Sequence, residues 1–173
     1  APAPSCPPPP ILTLLGKAPL AAQPTVAIVG ARNASAAGRK LARDIAAGLG
    51  EAGFVTVSGL ALGIDGEVHA ATLRTGTIAV LGGAIDHIYP PQHERLLVSE
   101  SPIGYRAKAQ DFPRRNRIIT GIARGTVVVQ AAERSGSLIS AHMAGEQGRE
   151  VMAVPGSPLD PRAAGENGFI YQG

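Results

Sequence analysis

Four short stretches of this chain are apolar at nearly every position, and each is followed by a stretch whose apolar residues recur at helical spacing. Val26-Ala27-Ile28-Val29 is the first. Runs of this kind suit strands buried on both faces of a parallel sheet. Gly30 to Ala34 then reads as a small-residue turn, and Ser35 as the N-cap of a helix carrying Leu41, Ile45 and Leu49, closed by Gly50 and Gly53. The unit repeats. Phe54 to Val57 predicts a strand, Ser58 to Ile64 a turn, and Asp65 the N-cap of a helix reaching about Arg74. Thr77 to Leu81 predicts the third strand. Asp86 to Pro91 leads into a short helix near Gln92 to Leu97. Thr126 to Val129 predicts another buried strand, Ala131 to Ser137 a turn, and Leu138 to Gln147 a helix. Val151 to Val154 is the last clear strand, and the remainder reads as irregular.

This alternation predicts an α/β fold, a doubly wound, mainly parallel sheet. Residues 1–23 form a separate lead-in: six prolines fall in the first ten residues, followed by a short apolar edge segment. The folded domain is expected over 24–173. One join is too short for a crossover, since Leu97 to Glu100 passes from a helical to a strand-like pattern with almost no turn. It predicts chain missing near Leu97.

In doubly wound sheets ligands bind beyond the carboxyl ends of the strands. The polar and glycine-rich stretches gather there: Gly30 to Ser35, Ser58-Gly59, Gly82-Gly83, Glu133 to Ser137 and Pro155-Gly156-Ser157. Any one of these is explained by a tight turn alone. Five together point to one site, and helix starts of this kind favour phosphate or carboxylate. Neither GxGxxG nor GxxxxGK[ST] is present, so an ordinary dinucleotide site or a Walker NTPase is not supported.

Composition then narrows the chemistry. The 173 residues are 45% apolar and 17% charged, with a net charge of +3, a globular composition with a mild basic excess. The excess is local. Arg106 to Arg124 holds six of the sixteen basic residues and one acid, Asp111. Within it Asp111-Phe112-Pro113-Arg114-Arg115-Asn116-Arg117 reads as a loop that delivers cations to the domain mouth and then becomes a helix. A solvated basic face would account for the same charges. The single cysteine excludes an internal disulfide framework and fits a reducing compartment. No apolar run is long enough for a membrane span, and the reading is a cytoplasmic protein. The four histidines show no i, i+4 pair, so neither a metal nor a cofactor is expected. There is no GxSxG elbow. Paired carboxylates would have to come from Asp65, Asp86, Glu100 or Glu133. What remains is anion binding by Arg32, Arg114, Arg115 and Arg117, whose planar forks match phosphate. Phe112 either stacks a base or anchors the loop.

Seven motifs in order carry a resemblance. They are Val26 to Ser35, Ser58 to Asp65, Leu81 to Pro90, Ser99 to Pro102, Phe112 to Ile119, Glu133 to Leu138 and Gly148 to Ser157. The chain resembles the DNA-processing protein A family, DprA or Smf. That resemblance implies an extended Rossmann-like domain that binds single-stranded DNA, forms homodimers, has no enzymatic activity and helps load the RecA recombinase in natural transformation. By the same resemblance Arg32 and Ser35, with Phe112, Arg115 and Arg117, fall in the DNA pocket, and Lys108 lies near a lysine position without clear register. Gly30, Ser58, Gly59, Asn116, Ser135, Gly136 and Ser137 complete the expected DNA-binding set. Ala31 and Asn33 depart from commoner choices, as does Gln130-Ala131-Ala132. Two other readings compete. A nucleotide-processing enzyme of the lysine-decarboxylase-like phosphoribohydrolase group would want a PGGxGTxxE pattern where Glu133-Arg134-Ser135-Gly136-Ser137 stands. A purely partner-docking domain would bind no nucleotide at all.

Overall fold

The computed structural model describes residues 7–87, 95–133 and 135–172. Seven strands form one sheet: β1 (Thr13–Gly16), β2 (Thr25–Gly30), β3 (Val55–Ser58), β4 (Thr77–Val80), β5 (Arg95–Ser99), β6 (Gly125–Val129) and β7 (Glu150–Ala153). Among the described residues five α-helices flank it: α1 (Ala36–Glu51), α2 (Ile64–Thr72), α3 (Asp111–Ile122), α4 (Gly136–Glu146) and α5 (Ala164–Gln172). The strand order is β1-β5-β4-β3-β2-β6-β7. All pairings are parallel except β1 with β5. The sheet is the doubly wound, Rossmann-like arrangement that the alternating pattern predicts.

Period-two alternation decides which side each residue serves. On β2, Val26 and Ile28 join Ala42, Ala46, Ile64 and Val68 on the α1 and α2 face. Ala27 and Val29 join Ile118, Ile119 and Ala141 on the α3 and α4 face. Both clusters are buried, which is why these strands are continuously apolar. The chain winds outward from β2 through β3 and β4 to β5, then returns to place β6 on the other side of β2. The switch point therefore lies between β2 and β6.

Four expectations are corrected. Leu96 and Leu97 belong to strand β5 and not to a helix. Their apolar doublet fits either period, and the pairing with β4 and β1 settles it. The rest of the helix expected there, Gln92 to Glu94, lies outside the described residues, as does the segment entering β5 where missing chain was expected. The basic run is not a loop, because Asp111 opens α3 and Pro113 sits in its first turn, where a missing N–H costs no helical bond. Asp65 is not an N-cap. Gly63 holds that position at φ +80°, and Asp65 lies in the first turn of α2. The chain's end is not irregular but carries α5. Residues 13–16 pair with β5 as the sheet's edge, and Leu20 adds a buried side chain to the α3 and α4 face.

Candidate nucleic-acid interface

A cleft of about 530 Å³ opens at the switch point. β2 supplies its base through Val29 and Gly30, followed by Ala31 and Arg32. α3 supplies one wall with Phe112, Arg115 and Asn116. The start of α4 supplies the other with Ser135, Gly136 and Ser137. Eight of the thirteen expected residues thus line one cavity, although they come from segments roughly a hundred positions apart.

Gly30 is required here by space. A Cβ at this position would meet the Val129 carbonyl oxygen and lie 2.6 Å from Ile64 Cγ1. Arg32, two residues on, places its guanidinium carbon 5.4 Å from the centroid of the Phe112 ring, within the range of a cation–π contact. Arg32 makes no ion pair among the described residues. Its charge is available to an incoming anion.

α4 meets the cleft end-on. Ser135 caps it, its Oγ accepting from the Leu138 N–H at 3.4 Å and lying 2.9 Å from Ser137 Oγ. Gly136 and Ser137 are the first two residues of the helix, and helix geometry leaves their N–H groups without an intrahelical partner. Asn116 Nδ2 donates to the Gly136 carbonyl at 3.1 Å and ties this terminus to α3.

Arg115 sits on the floor, only 5% exposed. Its Nη1 donates to the carbonyls of Gly59 and Val80, at the ends of β3 and β4. Asp65 approaches from the other side and accepts the Gly59 N–H at 3.2 Å and the Ala61 N–H at 3.3 Å. Gly59 is therefore held by an arginine at its carbonyl and a carboxylate at its N–H. Burial raises the Asp65 pKa, and Arg115 with these N–H groups works against that rise. Burial also lowers the Arg115 pKa, opposed by Asp65. Gly59 cannot be larger, because a Cβ there would strike the Arg115 guanidinium.

The other expected residues lie elsewhere. Because the basic run is helical, its arginines fan out at about 100° steps. Arg117 turns away from the cleft and pairs with Glu100, which also holds Arg114 at 3.3 Å. Lys108 is exposed just ahead of α3, and its N–H donates to Asp111 Oδ2 at 2.7 Å. Ser58 is fully buried and donates to the Ile28 carbonyl at 2.7 Å. Gly59 lines a neighbouring hollow. Ser35 caps α1, its Oγ accepting from the Gly38 N–H at 3.0 Å. Its own N–H donates to Gln130 Oε1 at 2.8 Å, and Gln130 Nε2 donates to its Oγ at 2.8 Å. The start of α1 is thus closed by a side chain, where an open anion turn was expected. Sequence reading missed Gln130 in this role. Its φ of +54° is an outlier for a non-glycine residue, and nothing in the residue pattern announces it. Glu100 and Asp65, both read as carboxylates near strand ends, are occupied by cations and by N–H groups respectively.

The remaining chemistry is sparse. Among the described residues no group of His, Cys, Asp or Glu could hold a metal ion, and no helix is long and apolar enough to cross a membrane. His69 is buried with Nδ1 2.8 Å from Thr77 Oγ1, and burial pushes its pKa down to about 3.

Sheet order and cleft together define a Rossmann-like protein with a cleft at its topological switch lined by an arginine, an aromatic ring and a helix start. The chain belongs to the DNA recombination-mediator protein A family, whose model matches residues 5–173. It is 45% identical over 159 residues to the DNA processing protein DprA of Bacillus subtilis (strain 168), covering 86% of this chain and 54% of that protein. The structure of DprA from Streptococcus pneumoniae superposes with a TM-score of 0.86 at 42% identity, over 94% of this chain and 61% of that one. DprA from Helicobacter pylori, whose structure concerns a unique single-stranded DNA binding mode, gives 0.88 at 27% identity over 95% and 80%. The chain spans about half the length of the curated relatives it matches.

Proposed function

We propose that this chain is the single-stranded-DNA-binding domain of a DNA-processing protein, that it acts by binding and not by catalysis, and that it works as a homodimer that helps load RecA in DNA uptake. The observation that carries the DNA-binding reading is the composition of the switch-point cleft. Arg32, which makes no ion pair among the described residues, the Phe112 ring and the first N–H groups of α4 converge there. The sole carboxylate on the lining, Asp65, is spent on main-chain N–H groups. Such a surface suits a phosphate beside a stacked base. The family relationship supports the same reading, as does the single-strand binding mode of the Helicobacter pylori relative.

A phosphoribohydrolase would need acid–base groups aimed at a bound nucleotide. Asp65 is buried and engaged, and Glu133 is exposed outside the cleft lining. The test is a titration with labelled single-strand and duplex oligonucleotides at two salt concentrations. Single strands should bind better than duplex, with affinity falling steeply as salt rises. A flat salt dependence refutes the reading, and release of free base from AMP would favour the enzyme.

A further inference from the structure

A second hollow of about 450 Å³ lies beside the cleft, at the ends of β3 and β4. Phe112 lines both cavities. Tyr105 and Arg106 line the second and not the cleft, as do Gly82 and Gly83. We propose that this hollow is a second nucleotide subsite, so that the Phe112 ring divides two consecutive nucleotides of one strand. The inference rests on the single-strand-binding reading above.

Four observations carry it. First, each cavity falls in the size range of small-ligand sites. Second, each has its own arginine: Arg32 on the cleft side, Arg106 exposed at the second hollow. One cation per side matches one phosphate per nucleotide. Third, the second hollow exists because side chains are missing from it. A Cβ on Gly82 would lie 3.2 Å from Phe112 Cδ1, and one on Gly83 would lie 3.0 Å from the Ala107 nitrogen. Leu60, which also lines it, adopts φ +57°, a left-handed conformation that costs a non-glycine residue free energy. Fourth, a carboxylate fixes the Tyr105 wall beside the start of the Phe112 helix. Asp111 Oδ2 accepts the Tyr105 hydroxyl at 2.8 Å and the Lys108 N–H at 2.7 Å, immediately before Phe112. A slot with its walls set in advance loses little freedom when filled.

Ala107 lines this hollow, does not line the cleft, and is exposed. Ala107→Leu therefore fills the second subsite without entering the core. The experiment measures affinities of 5′-phosphorylated thymidine oligonucleotides of one, two and three residues, for the unaltered protein and for Ala107→Leu. The unaltered protein should gain at least about fivefold between one residue and two, the lower end for one stacked base. Ala107→Leu should lose that gain while keeping its mononucleotide affinity and its melting temperature. A gain that survives in Ala107→Leu overturns the second subsite and leaves single-strand binding standing. Equal weakening of all lengths also overturns it, because the hollows would then not be separate sites. If no length binds either protein, the single-strand reading falls and the subsite falls with it.

Discussion

Replacing Arg115 by methionine separates two roles that a buried arginine beside a DNA cleft could have. The side chain is 5% exposed and its Nη1 serves two carbonyls, at Gly59 and Val80. Methionine fills similar space but leaves both acceptors without a donor and Asp65 without its counter-charge. Removing one partner of a buried charged pair costs about 3–5 kcal/mol. Asp65 and Arg115 act through Gly59 and not in direct contact, so the lower end applies, about 3 kcal/mol. For a domain of this size that lowers the melting temperature by roughly 6–12 °C. The pH dependence has a definite sign. The Asp65 pKa is already raised by burial, with Arg115 the largest opposing influence. An acid with a raised folded-state pKa stabilises fully below its ordinary value and loses that contribution as pH rises. Without Arg115 the pKa climbs further, so the deficit of the variant grows from mildly acidic to neutral pH. Combining it with Asp65→Asn should recover part of the loss and remove the pH dependence. Thermal and urea unfolding across pH read all of this. DNA titrations read the other role. Arg115→Met should weaken oligonucleotide binding through a disturbed floor while leaving the log–log salt slope unchanged. A slope reduced by about 0.7, the value for one lost phosphate contact on a single strand, combined with near-native stability, would refute the reasoning and make Arg115 a direct phosphate ligand.

Arg32→Ala should show the converse pattern, with the salt slope smaller by about 0.7 and the melting temperature unchanged; an unaltered slope places the phosphate elsewhere. Glu166 is buried and accepts the Ala131 N–H at 3.1 Å, and burial pushes its pKa from 4.5 up to about 7. Its contribution is therefore complete below pH 4.5 and lost as pH rises through 7, by up to about 3 kcal/mol. Urea unfolding of Glu166→Gln should show that loss flattened, and an unchanged curve would count against it. Gly30→Ala should cost about 2–3 kcal/mol by overpacking against the Val129 carbonyl and Ile64, measured by thermal denaturation; a neutral result means that β2 has room to shift.

The legible and illegible parts of this chain differ in what determines them. β2, β3, β4 and β6 could be read because burial on both faces demands apolar residues at every position. β5 could not, because Arg95-Leu96-Leu97-Val98-Ser99 suits either period and is fixed by partners eighteen and more positions away. The basic run gave its composition but not its direction. A loop would have left Arg114, Arg115 and Arg117 together, whereas α3 sends Arg115 inward and the other two to Glu100. The cleft was found in outline because glycines and hydroxyls mark strand ends. Arg32 over Phe112 and the Gln130 clamp on Ser35 depend on contacts eighty to a hundred residues apart, which no local pattern encodes.

β1 is four residues long, runs against the rest of the sheet and ends at Gly16, whose φ is +109°. Its outer side is one short strip of main chain. The strand it covers, β5, has a buried row of Leu96, Leu97 and Val98. A chain begun at Pro24 would bare that row beside a line of unpaired N–H and C=O groups, the condition in which sheets from separate molecules join edge to edge. Strand β1 thus acts as a selvedge, finishing this edge of the sheet. Its contribution would be felt in the concentration the protein tolerates before it associates, well before it was felt in the cleft.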